Sequence, residues 1–185
     1  MSFDFDALRV DNEIELRLPD ESIAEPLFAL IDRNRRSLRE WLPWLDVNTR
    51  VEDTMQFVLS DRSHYEHGQC FNTVIWYRRD IVGVIGYHPI DWLNSSAMVG
   101  YWLASGYQGK GIMTRACKAL TSYSFTKLEL NRIDIRCATG NTKSCAIPKR
   151  LGFVLEVTLR QGEWLYDHFV DLYVYSMLSK DWQAG

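Results

Sequence analysis

Between residues 98 and 138 the chain carries the pattern that most restricts its fold. Met98-Val-Gly-Tyr-Trp-Leu103 reads as a strand. A glycine junction, Tyr107-Gln-Gly-Lys-Gly-Ile-Met113, leads into a helix from Ile112 to about Lys127, with apolar residues at 112, 116, 119, 120 and 123. Ile133, Ile135 and Cys137 then alternate in a second strand. Such a strand–helix–strand unit closes as a right-handed crossover with locally parallel strands. Upstream, Phe71–Tyr77, Ile81–His88 and Ala97–Leu103 are rich in β-branched and aromatic residues, and only Arg79-Asp80 and Asn94-Ser95-Ser96 separate them. Connections that short imply an antiparallel meander, so the sheet is expected to be mixed.

The remaining elements follow local signals. Ile14, Leu16 and Leu18 alternate with Glu15 and Arg17 as a half-buried strand. Ser22-Ile-Ala-Glu25 and Thr49-Arg-Val-Glu52 read as capping boxes opening helices. The first helix continues through Leu27, Leu30 and Ile31, and a second helical piece lies near Ser37–Trp41, ended by Pro43. Asn141 or Thr142 caps a short helix that stops at Leu151-Gly152 and contains an awkward Pro148. Phe153–Thr158 and His168–Met177 read as the last strands. The count is seven strands with about four helices, an α/β (α+β) chain. With no linker or repeat, residues 1–185 are expected to form one domain.

Net charge decides against two partner classes. At −3, with no run of like charge, the chain is a poor candidate for nucleic acid or an anionic membrane. No apolar run approaches the ~20 residues of a membrane span. Met-Ser-Phe-Asp-Phe-Asp lacks the basic and apolar regions of a signal peptide, which makes a cytoplasmic location the expectation. Cys70, Cys117, Cys137 and Cys145 have no metal-ligand spacing, so they read as free thiols and no metal is expected.

The glycine junction carries the chemistry. Two glycines between strand and helix let the backbone approach a ligand, and the first amides of the following helix point outward without partners. That end of the helix dipole favours phosphate oxygens, so a pyrophosphate-bearing ligand is indicated. A plain turn with a helix cap is the bland alternative. A Walker-type nucleotide loop is excluded, because Gly-x-x-x-x-Gly-Lys-Ser/Thr is absent. Cys145 reads as a packed thiol, and His64 and His67 lack a third ligand. Trp41 and Trp44 read more readily as core than as cleft walls. Tyr101 and Trp102 fall on opposite strand faces, so one at most should enter a cleft.

Gln108-Gly-Lys-Gly111 after a Gly-Tyr-Trp strand resembles motif A of the GCN5-related N-acetyltransferases (GNAT), with Met113 in place of the final small residue. Asn141-Thr-Lys-Ser144 and Leu151-Gly-Phe153 resemble motif B. Arg39-Glu-Trp-Leu-Pro-Trp-Leu45, Ile147-Pro-Lys-Arg-Leu-Gly-Phe153, and Glu156 followed by Gln161-Gly-Glu163 look like the RimJ/RimL ribosomal-protein branch. The likeness runs from about residue 12 to 180.

This resemblance implies a GNAT fold with a splayed central strand pair, and acetyl transfer from acetyl-CoA to a primary amine in a ternary complex. It implies that the amides of Gln108, Gly109, Lys110, Gly111, Ile112 and Met113 hold the diphosphate. Pantetheine would pair with the strand edge at Tyr101, Trp102 and Leu103, beside a bulge at Gly100, and would bond Asn141. Glu163 would be the base, from a loop, and Ser144 the group that assists thiolate departure. The implied acceptor is the N-terminus of a protein such as a ribosomal protein. A polyamine or drug amine, or a non-catalytic acyl-CoA sensor, are the alternatives. A homo-oligomer is expected by analogy, through apolar surface at Tyr173, Val174, Tyr175 and Met177.

Overall fold

The computed structural model describes residues 3–183, so the two residues at each end of the expected 1–185 domain lie outside the described residues. Its strands are β1 (Ala7–Arg9), β2 (Ile14–Arg17), β3 (Asn72–Tyr77), β4 (Asp80–Tyr87), β5 (Ser96–Leu103), β6 (Arg132–Ala138), β7 (Val154–Leu165) and β8 (His168–Leu178). They form one sheet in the order β1-β2-β3-β4-β5-β6-β8-β7. The count is eight rather than seven. β1 has three residues, too few for a period of two to register, and it is held by pairing with β2, Leu8 opposite Leu16. The β5–β6 contact is parallel and the other pairs are antiparallel.

Four helices cover the two faces. α1 (Ala24–Arg39) and α2 (Val51–Glu66) lie on one, where Leu27, Ile31, Leu38 and Val58 pack on Val74 and Val84. α3 (Ile112–Thr126) and α4 (Thr142–Arg150) lie on the other, where Ile112, Ala116, Leu120 and Ile147 join Ile85, Val99, Ile133 and Ile135. Each Val, Leu and Ile side chain among these contributes roughly 1.5–3 kcal/mol by leaving water. Phe3 and Phe5 stack edge-on or tilted against Phe71 and so tie the N-terminal segment to this second core.

Local starts and stops differ from the capping-box reading. Asp20, not Ser22, caps the first turn by accepting from the Ser22 amide at 2.8 Å. A 3-10 turn, Glu21–Ile23, then runs straight into α1, which is one continuous helix through the expected break. Asp53 rather than Glu52 reaches back at α2, accepting from the Thr49 and Arg50 amides at 2.9 and 3.1 Å. In both places an aspartate one or two positions away supplies the short carboxylate that meets the free amides.

The last two strands carry a further correction. Val174, Tyr175 and Met177 are buried. The exposed apolar side chains are instead Val154, Leu155, Val157 and Trp164 on edge strand β7, with Phe169 beside them. β7 also extends well past residue 158, to Leu165.

Candidate active site

β5 and β6 hold hydrogen-bonded register over three pairs only, ending at Met98 opposite Asp134. Beyond that point β5 stays with β4, from Tyr87–Val99 to Gly83–Leu103, while β6 stays with β8 to Ala138–Leu172. The two strands therefore part, as the splayed pair was expected to do. The expected bulge at Gly100 is absent, since the β4–β5 register runs unbroken through Val99–Leu103. Gly100 serves another purpose: a Cβ there would stand 2.9 Å from Nε2 of His88.

The unbroken register decides which backbone groups face the gap. His88 N donates to Met98 O, and Ala104 N donates to Val82 O, both at 2.9 Å. Even-numbered residues of β5 thus turn their N–H and C=O toward β4, and the alternation aims those of Val99, Tyr101 and Leu103 into the gap. Trp102, grouped with them from sequence, turns its backbone the other way. Its carbonyl lies so close to Gly83 that a Cβ on that glycine would stand 2.2 Å away.

A cavity of about 1690 Å³ runs through this gap. It is lined from the α1–α2 side by Trp41, Trp44, Phe57, Trp102, Arg136 and Glu163, and from the α3–α4 side by Gln108, Gly109, Gly111, Arg115, Ser144 and Arg150. Tyr101 and Trp102 sit on opposite faces, as read, yet both line it, because the cavity spans both faces. Trp41 and Trp44 both line the cavity, and Trp44 also packs against the α1–α2 core. Their loop is braced: Arg35 donates to Leu45 O at 2.6 Å and Asn48 O at 2.7 Å, and the Tyr166 hydroxyl donates to Leu42 O.

At the α3 mouth, Gly109 and Gly111 have φ of 77° and 71°, a left-handed backbone that favours glycine. Apart from the adjoining residues, no protein atom lies within 4 Å of a Cβ built on either one. The space they leave is therefore open to a ligand. Gly111 is the N-cap, no side chain caps α3, and its first turn holds no acidic residue. Ile112 and Met113 bury their side chains, so what they offer a ligand is backbone amide. Cations surround the mouth. Lys143 donates to Gln108 Oε1 at 2.8 Å, Arg150 donates to Thr114 Oγ1 at 2.9 Å, and Lys110 is exposed. This donor set suits phosphates: free amides, a positive dipole end and nearby ammonium groups.

α4 sets the position of Ser144. Asn141 caps it, its Oδ1 accepting from the Ser144 amide at 3.1 Å. The awkward Pro148 now has a physical account. Lacking N–H, it cannot donate to the carbonyl four residues earlier, which is that of Ser144. Tyr101 fills the vacancy, its hydroxyl donating to Ser144 O at 3.2 Å with Ser144 Oγ 3.4 Å away. Burial holds the Tyr101 phenol well above its usual pKa, so it stays protonated as a donor. Cys145 packs behind, buried, with its Sγ 3.0 Å from that of Cys137.

Glu163 belongs to β7 rather than to a loop. A bulge places residues 160–162 opposite Asp171 alone, between the pairs Leu159–Leu172 and Glu163–Val170. Gln161 is left-handed there, and its amide donates to Asp171 Oδ1 at 2.7 Å. The carboxylate is half-buried in the cavity wall, and burial pushes its pKa up. Neither Arg136 nor His88 stood out in the sequence, though both line the cavity. Strand alternation from Asp134 would have placed Arg136 on this face. Among the described residues, no group of three or more His, Cys, Asp or Glu is placed to hold a metal ion. No helix among them is long and apolar enough to cross a membrane.

Comparison with known proteins gives the same picture. The acetyltransferase (GNAT) domain profile matches residues 13–154. YdaF of Bacillus subtilis (strain 168), named as a candidate ribosomal N-acetyltransferase, is 35% identical over 177 residues, covering 95% of this chain and 97% of its own. The structure of RimL, the ribosomal L7/L12 alpha-N-protein acetyltransferase, bound to coenzyme A superposes with a TM-score of 0.91 at 29% identity, over 94% of this chain and 98% of that one. The microcin C7 self-immunity acetyltransferase MccE, bound to acetyl-CoA and AMP, gives 0.88 at 31% identity, over 92% and 95%.

Proposed function

Since this chain belongs to the acetyltransferase (GNAT) family and is an N-acetyltransferase, we propose that it acetylates the N-terminal α-amino group of a protein, such as a ribosomal protein, from acetyl-CoA. The observation that carries this reading is the continuous cavity, which joins the Gly109–Gly111 mouth on one face to Glu163 on the other. A cosubstrate and an acceptor can approach from opposite faces and meet in the gap between β5 and β6. Residues 1–185 act as one cytoplasmic domain in this account.

The diphosphate sits on the amides from Gln108 to Met113, with Lys110 and Lys143 supplying charge. Pantetheine adds as a strand to the gap-facing edge at Val99, Tyr101 and Leu103, and Asn141 keeps a free amide for it. Glu163, directly or through water, takes a proton from the ammonium of the acceptor. The amine nitrogen attacks the thioester carbon, the C–N bond forms, and an oxyanion develops near the Tyr101 N–H. The carbonyl then re-forms as the C–S bond breaks, the nitrogen loses its second proton to solvent, and Ser144 Oγ donates a hydrogen bond to the departing thiolate. The supporting physics is a base made stronger by burial, and a hydroxyl aimed by Tyr101 and Asn141.

A second reading has one observation behind it. MccE was solved with AMP, and Trp41, Trp44 and Trp102 here offer ring faces in the same cavity, so a small amine bearing a nucleotide is the competing acceptor. Mass spectrometry of ribosomal proteins and of aminoacyl nucleotides after incubation with the enzyme separates the two. A +42 Da N-terminal shift on protein supports the main reading, and modification confined to the nucleotide conjugate replaces it. The exposed apolar row on β7 supports a homo-oligomer.

A further inference from the structure

We propose that Arg136, assisted by His88, selects acceptors that carry a carboxylate a few residues after the reactive amine. This rests on the peptide-acceptor reading above and names the class of peptide. Met98 opposite Asp134 is the last pair before β5 and β6 part. Gly100 and Arg136 are therefore the next residues on that same sheet face, one on each side of the gap. The register continues across β8 and β7. Arg136 lies opposite Val174, and Glu163 opposite Val170, an even number of residues along the strand. Arg136 and Glu163 consequently share the acceptor face.

Three arginines line the cavity. Arg115 is bonded to Asp11 and Glu13, and Arg150 donates to Thr114. Arg132, on the same strand as Arg136, is held by Asp134 and Glu156. Arg136 is exposed, with no hydrogen bond or ion pair among the described residues. A guanidinium presented in a concave site without a protein anion is suited to a carboxylate of the ligand, which it grips with two parallel bonds. His88 stands beside it. Its ring occupies the room that Gly100 leaves, 2.9 Å from where a Cβ would be. His88 is reached by water from the cavity yet walled by protein. That environment and the neighbouring Arg136 charge lower its pKa, leaving a neutral ring able to donate one more bond to an anion.

Spacing restricts the ligand. One strand lies between β6 and β7, so Arg136 and Glu163 are two strand spacings apart, about 10 Å, and four residues along, about 13 Å. Their Cα atoms are thus roughly 16 Å apart. The reach of both side chains shortens the amine-to-anion span to the length of a short extended peptide, at about 3.3 Å per residue. The α-carboxylate of a free amino acid is too close to its own amine to serve. An Asp or Glu two to four residues after the N-terminus fits. None of the three acidic groups on the cavity wall is paired with Arg136: Asp53 is engaged by Thr49 and Arg50, Glu163 stands by the amine, and Glu40 makes no ion pair with Arg136.

The test uses hexapeptides beginning with Ser, carrying Glu or Gln at positions three to five, assayed with acetyl-CoA and the full chain. The wild type should favour at least one Glu peptide over its Gln partner by about tenfold in kcat/KM. Arg136→Gln should bring the pair to within about twofold, and Arg136→Lys should restore part of the preference. A purely structural role for Arg136 would lower both peptides together and leave their ratio intact. Equal wild-type rates on every pair would overturn the inference while acetyl transfer to peptides stands. Turnover of no peptide, with acetyl-CoA still binding by calorimetry, would remove the peptide-acceptor reading and this inference with it.

Discussion

In the proposed mechanism Glu163 concentrates the chemistry of the site in one carboxylate. A general base works only when deprotonated, and burial raises the pKa of this group. The acid limb of kcat/KM should accordingly lie above the ordinary glutamate range, with activity lost as pH falls through it. Glu163→Gln should cost about 10²-fold or more near neutral pH. That deficit should shrink as pH approaches the amine's own pKa, where the acceptor no longer needs help, and acetyl-CoA affinity should hold. A variant that keeps wild-type rates across the pH range would remove Glu163 as the base. Ser144, Asn141 and Glu163 were singled out through the family resemblance, and the structure brings all three to the wall of one cavity. Arg136 and His88 were not. Their importance comes from where two strands part, a property of pairing between distant segments.

At the level of elements, α4 and the α3 mouth each place a sequence oddity at a working position. Pro148 weakens α4 by one backbone bond, and the freed Ser144 carbonyl recruits Tyr101. Pro148→Ala would return that N–H and let it compete with the Tyr101 hydroxyl. The expected result is a melting temperature equal to or above wild type, with kcat down severalfold; calorimetry and steady-state rates on one preparation read both. A drop in melting temperature with kcat unchanged would show that the Tyr101 contact carries no function. Gly111→Glu should weaken acetyl-CoA binding at least tenfold by titration calorimetry. It forces a side chain into a left-handed backbone, at roughly 1–2 kcal/mol, and sets a negative charge where phosphate belongs. The glycine junction was plain in the sequence. The continuity of α1 was not, because Ser37–Trp41 follows a polar stretch, Asp32 to Arg36, which hides the helical face.

Across the whole molecule, the splayed sheet leaves one cavity lined from both faces, and the proposed mechanism brings one substrate in from each. Initial rates at varied acetyl-CoA and peptide should give intersecting lines, since both substrates occupy the passage before chemistry; parallel lines would signal a covalent acetyl-enzyme instead. The exposed apolar residues Val154, Leu155, Val157, Trp164 and Phe169 of the edge hairpin predict self-association. Light scattering should find at least a dimer that Trp164→Asp converts to monomer, and a wild-type monomer at micromolar concentration would contradict it. The central meander, the parallel crossover and the mixed sheet could be read from the chain, whereas the β6-β8-β7 order and the register of β5 could not. Glycine at position 100 suggested a bulge, and only the pairing with β4 shows that it makes room for His88. The most direct check of the account is a crystal structure with acetyl-CoA. It should show diphosphate oxygens within hydrogen-bonding distance of the amides between Gly109 and Met113, and pantetheine paired along Val99–Leu103 with the thioester facing Glu163. Acetyl-CoA bound elsewhere, or that mouth filled by the protein's own side chains, would contradict it.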